Sequence, residues 1–197
     1  RLLEEHGDIA VVGEAAHAAE AQRQFISLGP QVVVMDIKLP DISGLEAMRR
    51  MLRVAPGTRV LIFSMYEESV FARSALQAGA FGYVTKASAP KVLVEAVHAV
   101  ASGRRYLSSD VAQDLALRAV GVSANVGEVD NNGLSARELE VLRLLVQGRS
   151  VRDIARLIGL SPKTIANHQS AIKQKLGADT ALQMLAVAAR LGLKPRD

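Results

Sequence analysis

The chain has 197 residues, 49% of them hydrophobic and 22% charged, with a net charge of +4 and no cysteine. Such a composition is globular and the length suits two small domains, while disulfides, iron–sulfur clusters, thiolate zinc sites and a Cys nucleophile are excluded. The longest apolar runs fall far short of the ~20 residues of a membrane helix, and Arg1 opens no signal-peptide pattern, so a chain of the reducing cytoplasm is expected.

The front of the chain alternates between strand and helix signals. Ile9–Gly13 is a short β-branched run, followed by an alanine-rich helix over Ala18–Leu28 that Gly29 and Pro30 stop. Val32–Met35 is continuously apolar, as a strand buried on both faces should be. A helix is predicted over Leu45–Val54, a strand over Arg59–Ser64, a helix over Glu67–Ala78, a strand over Phe81–Thr85 and a helix over Ala89–Ala101. Strands separated by helices of this length imply a doubly wound parallel sheet covered on both faces. A further helix is predicted over Ser108–Val120, and 121–133, with its Gly, Ser and Asn, predicts a flexible linker. The expected organisation is therefore 1–103, 104–133 and 134–197.

Parallel α/β sheets bind ligands beyond the carboxyl ends of their strands. Three polar residues fall there: Asp36, Ser64 and Lys86. A carboxylate, a hydroxyl and an ammonium from three strands suit phosphoryl chemistry. Asp36 would be the nucleophile, Lys86 would neutralise phosphoryl oxygens and Ser64 would hydrogen-bond one of them.

The string Val34-Met35-Asp36-Ile37-Lys38-Leu39-Pro40-Asp41-Ile42-Ser43-Gly44 resembles the phospho-acceptor loop of two-component receiver domains. Ser64-Met65 and Gly79–Lys86 resemble the matching later segments. The resemblance implies a flavodoxin-like fold in which Asp36 takes a phosphoryl group from a histidine kinase. It implies that Ser64 and the aromatic Tyr83 form the switch and that Lys86 is the phosphate partner. Arg1–Asp8, however, resembles the end of the family's first helix, so the first strand and the acidic pair that binds Mg2+ are missing from these residues. That strand lies mid-sheet, between the second and third, and each backbone group left unpaired there costs roughly 1–3 kcal/mol. The expectation is that it precedes Arg1 in the complete protein, or that another segment or subunit supplies it. Only Asp36 and the Lys38 backbone carbonyl remain as metal ligands, so magnesium is expected to be weak or absent here.

The charge changes sign along the chain. Residues 1–133 hold 13 Lys/Arg against 15 Asp/Glu, and residues 134–197 hold 11 against 5. A basic back half suggests a polyanion binder. Its pattern is four short helices. Ser135 and Glu138 form a capping box before a stripe of Leu139, Leu142, Leu145 and Val146, and a second helix carries Val151, Ile154, Ala155 and Ile158. Ser161 caps a third helix, Pro162–Leu176, with Ile165, His168, Ile172 and Leu176 inward and Lys163, Asn167, Ser170, Lys173 and Gln174 outward. This is a helix-turn-helix pattern. Lys163, Lys173, Lys175, Arg149 and Arg152 could neutralise phosphates, Asn167 could pair with adenine, and Thr164 and Ser170 lie on the same helix.

Leu134–Leu142, Ile154-Ala155, Ser161–His168 and Lys173–Gly177 resemble the LuxR-type DNA-binding domain, which follows a receiver in NarL/FixJ-type response regulators. The resemblance makes His168 a packing residue, and it leaves Ala166 where the family often has Lys. It makes Thr180–Leu191 a dimer helix exposing Ala181, Leu182, Leu185, Ala188 and Ala189, with Leu182, Leu185 and Ala189 as its contacts. The expected partners are double-stranded DNA, a histidine kinase and a second copy of the chain, with no membrane. The implied mechanism is a population shift: the unphosphorylated receiver covers or misplaces the DNA-binding domain, and phosphorylated Asp36 favours a dimer. An atypical receiver that dimerises constitutively or answers to a protein partner is the alternative. An aspartyl-phosphate enzyme would need a second carboxylate two residues after its nucleophile, where Lys38 stands, so no enzyme is expected.

Overall fold

The computed structural model describes residues 2–119 and 133–193. Of the expected linker, all but Gly133 lies outside the described residues. The chain packs as two compact units, residues 1–67 with 75–112 and residues 68–74 with 113–197.

In chain order the first elements are a 3-10 turn at Glu4–His6, α1 (Ala18–Leu28), β1 (Val32–Met35), α2 (Gly44–Val54), β2 (Arg59–Ser64), α3 (Ser69–Gln77), β3 (Gly82–Thr85), α4 (Pro90–Ala101), β4 (Tyr106–Leu107) and α5 (Ser109–Ala119). The four strands form one parallel sheet in the order β1-β2-β3-β4. The β2 and β3 side chains are almost all buried on both faces of the strands, which is why their sequences run apolar without alternation. Leu61 and Val84 pack under Leu93, Ala96, Val97 and Val100 of α4, with Leu2, Leu3 and Ile9 against the same cluster.

One feature agrees with the missing first strand and another departs from the sequence expectation. Ile9–Gly13 joins no ladder. On one side β1 pairs with β2, from Val32↔Arg59 to Met35↔Ile62, and among the described residues no strand lies along its other edge. Ile9–Gly13 therefore lacks the neighbour it would pair with. Val12 is 54% exposed and Val34 38% exposed, although both have the residue type of a covered strand. The departure is β4, which pairs Tyr106 with Gly82 and Leu107 with Tyr83. Here glycine is required by close approach, since a Cβ on Gly82 would sit 2.6 Å from the Tyr106 carbonyl oxygen.

The second unit carries α6 (Ala136–Val146), α7 (Val151–Ile158), α8 (Pro162–Leu176) and α9 (Ala181–Arg190). Each begins with a Ser or Thr whose side chain accepts the N–H three residues on: Ser135 from Glu138, Ser150 from Asp153, Ser161 from Thr164 and Thr180 from Gln183. Such caps satisfy N–H groups that the helix leaves orphaned and set its start. Leu139, Leu142, Ile154, Ile165 and Ile172 are wholly buried and hold the helices together.

Candidate functional site

Asp36 follows β1 directly and Lys86 follows β3, so the sheet alone brings both to one edge. The Lys86 ammonium donates to Asp36 Oδ2 at 2.5 Å. The Lys38 backbone N–H donates to Asp36 Oδ1 at 3.0 Å. Both side chains stay partly open to solvent, as a group that reacts with an incoming donor must. Lys86 also lies 5.6 Å above the centre of the Phe63 ring, and its own N–H donates to the Ser64 carbonyl at 2.7 Å.

Ser64, the last residue of β2, is fully buried, and its hydroxyl accepts the Tyr66 N–H at 3.3 Å. Tyr83, in the middle of β3, is also fully buried and donates its phenol O–H to the Tyr66 carbonyl at 2.7 Å. The two expected switch residues thus meet through the backbone of Tyr66. That tyrosine was not singled out in the sequence, because backbone acceptors leave no pattern there.

The acceptor loop is fixed at several points that the sequence reading did not use. Asp41 accepts the N–H groups of Ala18 and Ala19 at 3.0 and 3.2 Å, capping α1 from across the loop. Burial pushes the Asp41 carboxyl up, but the N–H groups of Ala18, Ala19 and Ile42 outweigh it and leave the group below the usual carboxylate range. Ser43 caps α2 by accepting the Leu45 N–H, and the Gly44 N–H donates to the Ile37 carbonyl at 2.8 Å. A Cβ on Gly44 would lie 1.8 Å from the Asp36 carbonyl oxygen, so no other residue fits this path.

Magnesium does not fit the residues present. Asp36 offers one carboxylate, already engaged on both oxygens by Lys86 and the Lys38 N–H, and Asp41 is spent on α1. Among the described residues no group of three or more His, Cys, Asp or Glu side chains could hold a metal ion. A near-octahedral set of oxygens needs more than this.

In the second unit α8 presents Lys163, Ala166, Asn167, Ser170 and Gln174 to solvent, while Ile165 and Ile172 face the core. Thr164 is half-buried, with its hydroxyl 2.8 Å from Ser161 Oγ, and the Ser170 hydroxyl donates to the Ala166 carbonyl. Lys173 and His168 are half-buried. Burial holds His168 below its ordinary value of 6.5, opposed by the Glu138 carboxylate and reinforced by Arg137 and Lys175. Arg152 is exposed and Arg149 half-buried, its Nε buried without a hydrogen-bond partner.

Lys175 differs from the other lysines of this helix. Its ammonium donates to Glu138 Oε2 at 2.7 Å and to the Gly133 carbonyl at 3.1 Å, tying α8 to the capping box of α6. Burial raises the Glu138 carboxyl, but Lys175 and Ser135 outweigh it and keep the group below its ordinary range.

On α9, Leu182 is 77% exposed and Leu185 40% exposed, with Ala181 and Ala189 also outside. Ala188 corrects the expectation: it is fully buried, because it shares the inward face with Met184, Val187 and Leu191.

Comparison with known proteins bears on both units. Residues 1–98 match the response regulator receiver domain family, and residues 132–189 match the luxR family of bacterial regulatory proteins. Response regulator GacA of Pseudomonas syringae pv. syringae is 36% identical over 193 residues, which is 98% of this chain and 89% of that protein. The chain belongs to the response regulators with a LuxR-type regulatory domain. The solved structure of a two-component response regulator of the LuxR family from Aurantimonas sp. SI85-9A1 is 48% identical to this regulator, with a TM-score of 0.55. It covers 56% of this chain and 79% of its own. RcsB from Salmonella enterica serovar Typhimurium, solved bound to promoter rprA in the presence of phosphomimetic BeF3-, is 25% identical to the regulator with a TM-score of 0.61. The match covers 95% of this chain and 89% of that one. Among the described residues of the regulator no helix is long and apolar enough to cross a membrane.

Proposed function

We propose that Asp36 is the phospho-acceptor of a transcription regulator whose α8 reads duplex DNA. The observation that carries the proposal is the Asp36–Lys86 hydrogen bond at the carboxyl edge of the sheet. An Asp36 carboxylate oxygen attacks the phosphorus of a phosphohistidine on a histidine kinase. A P–O bond forms, the P–N bond breaks, and the imidazole leaves with the electron pair. Lys86 stands beside the transferring group and neutralises its oxygens. Ser64 and Tyr83 respond through the Tyr66 backbone they share. The pairing of Asp36 with a fixed ammonium favours this account over a receiver that works without phosphate.

The cationic unit is the output. Lys163, Arg152, Arg149 and Lys173 neutralise phosphates around α8, Asn167 pairs with a base edge, and Thr164 and Ser170 make hydrogen bonds beside it. The exposed Leu182, Leu185 and Ala189 pair two copies of α9, which sets half-sites about one helical turn apart. Lys175 supports the domain through Glu138. The working boundaries are 1–103 for the receiver, 104–133 for the connection and 134–197 for the DNA-binding domain. A shift from 1:99 to 99:1 between inactive and active populations takes about 5.5 kcal/mol. Pairing on two half-sites supplies part of it.

The test is chemical. Phosphohistidine on a purified histidine kinase, or phosphoramidate as a small phosphodonor, should place one acid-stable, base-labile phosphoryl group on Asp36, located by peptide mapping after borohydride reduction. Unchanged labelling in an Asp36→Asn variant would refute the assignment.

A further inference from the structure

The end of β3 is tied to more than the acceptor. Thr85, the last residue of that strand and the neighbour of Lys86, is fully buried. Its hydroxyl lies 3.0 Å from Asp110 Oδ2 and 2.9 Å from Ser88 Oγ. Thr85 has one proton and the carboxylate can only accept. The proton therefore goes to Asp110, and Ser88 donates to Thr85 in turn.

Asp110 stands in the first turn of α5. Burial pushes its carboxyl up, but the nearby Ser108 and Thr85 hydroxyls and the N–H groups of Val111 and Asp110 itself outweigh that. The result is a carboxyl below its usual range. The stretch before Asp110 is bound twice more, through Tyr106 N–H to the carbonyl of Phe81, just ahead of β3, at 3.2 Å and Ser108 N–H to the Tyr83 carbonyl of β3 at 3.0 Å. A strand of two residues is too short to hold a helix start in place alone. The Thr85–Asp110 bond is the side-chain fastening that carries the ladder on into α5.

This placement joins two things that the acceptor site by itself does not. β3 bears Tyr83 and, two residues on, Thr85, and Lys86 follows the strand directly. Tyr83 holds Tyr66, Thr85 holds α5, and Lys86 holds Asp36. A phosphoryl group on Asp36 puts about −1.5 to −2 charge and three acceptor oxygens where Lys86 now meets a carboxylate. Lys86 must then re-aim, and its peptide is shared with Thr85. A buried hydroxyl has few alternative partners, so a small rotation at the strand end either keeps the Asp110 bond or loses it, as packed elements respond in steps.

We propose that Thr85 and Asp110 are positioning residues that pass the state of Asp36 from the end of β3 into the first turn of α5, the helix preceding the DNA-binding region in the chain. The proposal rests on the assignment of Asp36 as phospho-acceptor. Its substance is that phosphorylation chemistry and basal DNA binding survive loss of this bond, while the response of one to the other does not.

The experiment uses the complete chain, with Thr85→Val, which keeps the shape and removes the hydroxyl, Asp110→Ala, and Thr85→Ser, which restores the hydroxyl. Each is treated with phosphoramidate, labelled Asp36 is quantified, and affinity for a duplex selected by the wild-type chain is measured with and without the donor. The expected result is that Thr85→Val and Asp110→Ala are labelled as the wild type is and bind the duplex equally well before treatment. Their gain in affinity on phosphorylation falls about fivefold or more, a typical coupling energy between sites. Thr85→Ser recovers most of the gain, and the double variant loses no more than either single one. A wild-type gain in Thr85→Val or Asp110→Ala would overturn the proposal, as would a general loss of labelling and thermal stability without rescue by Thr85→Ser. A wild-type chain labelled at Asp36 but indifferent in affinity would overturn the coupling proposal alone. A chain that takes no label would overturn the acceptor assignment first.

Discussion

Lys86 and Asp36, 50 residues apart in sequence, meet at 2.5 Å because β3 and β1 end at the same edge of one parallel sheet. The ammonium is held there by the backbone bond from its own N–H to Ser64 and by the Phe63 ring. Preorganised charge of this kind is in place beside the acceptor before the transfer begins. Lys86→Ala is expected to slow labelling of Asp36 from phosphoramidate about 100-fold, measured by quenched time courses. The fold should be retained, since the side chain lies partly in solvent.

Gly44 is a packing requirement of the same loop. Gly44→Ala places a methyl against the Asp36 carbonyl, which is backbone and cannot step aside. The expected cost is about 1–3 kcal/mol in urea unfolding, as for other overpacked sites, together with slower labelling because Asp36 moves with its carbonyl.

Much of this site was legible in the sequence. Val32–Met35 and Val60–Phe63 run continuously apolar, so the polar residues that end them identify Asp36 and Ser64 directly. The direction of the Ser64 hydroxyl, toward Tyr66 N–H, was not legible, because a side-chain torsion answers to a backbone group and not to a spacing. Asp41 was missed since the helix it caps starts 23 residues before it. Tyr106–Leu107 was missed because two residues show no period. Ile9–Gly13 read as a strand on residue type alone, yet a strand exists only with a partner, and the described residues provide none.

Lys163 and Lys175 should part company on substitution. Lys163 is exposed at the start of α8, so Lys163→Ala is expected to weaken all duplexes and lower the slope of log affinity against log salt by about 1. Lys175→Ala should leave that slope nearly unchanged and cost stability, because Glu138 loses a partner while almost fully buried. A loss of about 1–3 kcal/mol in urea unfolding of the complete chain is expected. An unchanged midpoint with a lowered salt slope would reassign Lys175 to the DNA surface.

His168 predicts the acid behaviour of the second unit. Burial lowers its folded value below the ordinary 6.5, so below pH 6.5 the unfolded chain takes up a proton that the folded one refuses. Stability contributed by neutral His168 is complete above pH 6.5 and is lost as pH falls through the lowered folded value. The Glu138 carboxylate and the Arg137 and Lys175 side chains are the charged groups that face it. Glu138, lowered from 4.5, gives way only at more acid pH. Thermal unfolding followed from pH 7.5 to pH 5 should show a falling midpoint that His168→Gln flattens.

On α9, Leu182→Asp places a charge on the most exposed large apolar side chain of the helix. It should leave the monomer folded, since Met184, Val187 and Ala188 carry the packing, and should abolish cooperative occupation of paired half-sites in gel-shift titrations.

The affinity of the complete chain for a duplex selected by its phosphorylated form, measured before and after phosphoramidate for the wild type and Asp36→Asn, tests the central claim most directly. The wild type should gain about tenfold or more, with two copies per duplex, and Asp36→Asn should gain nothing. An equal gain in Asp36→Asn, or none in a fully labelled wild type, would contradict it.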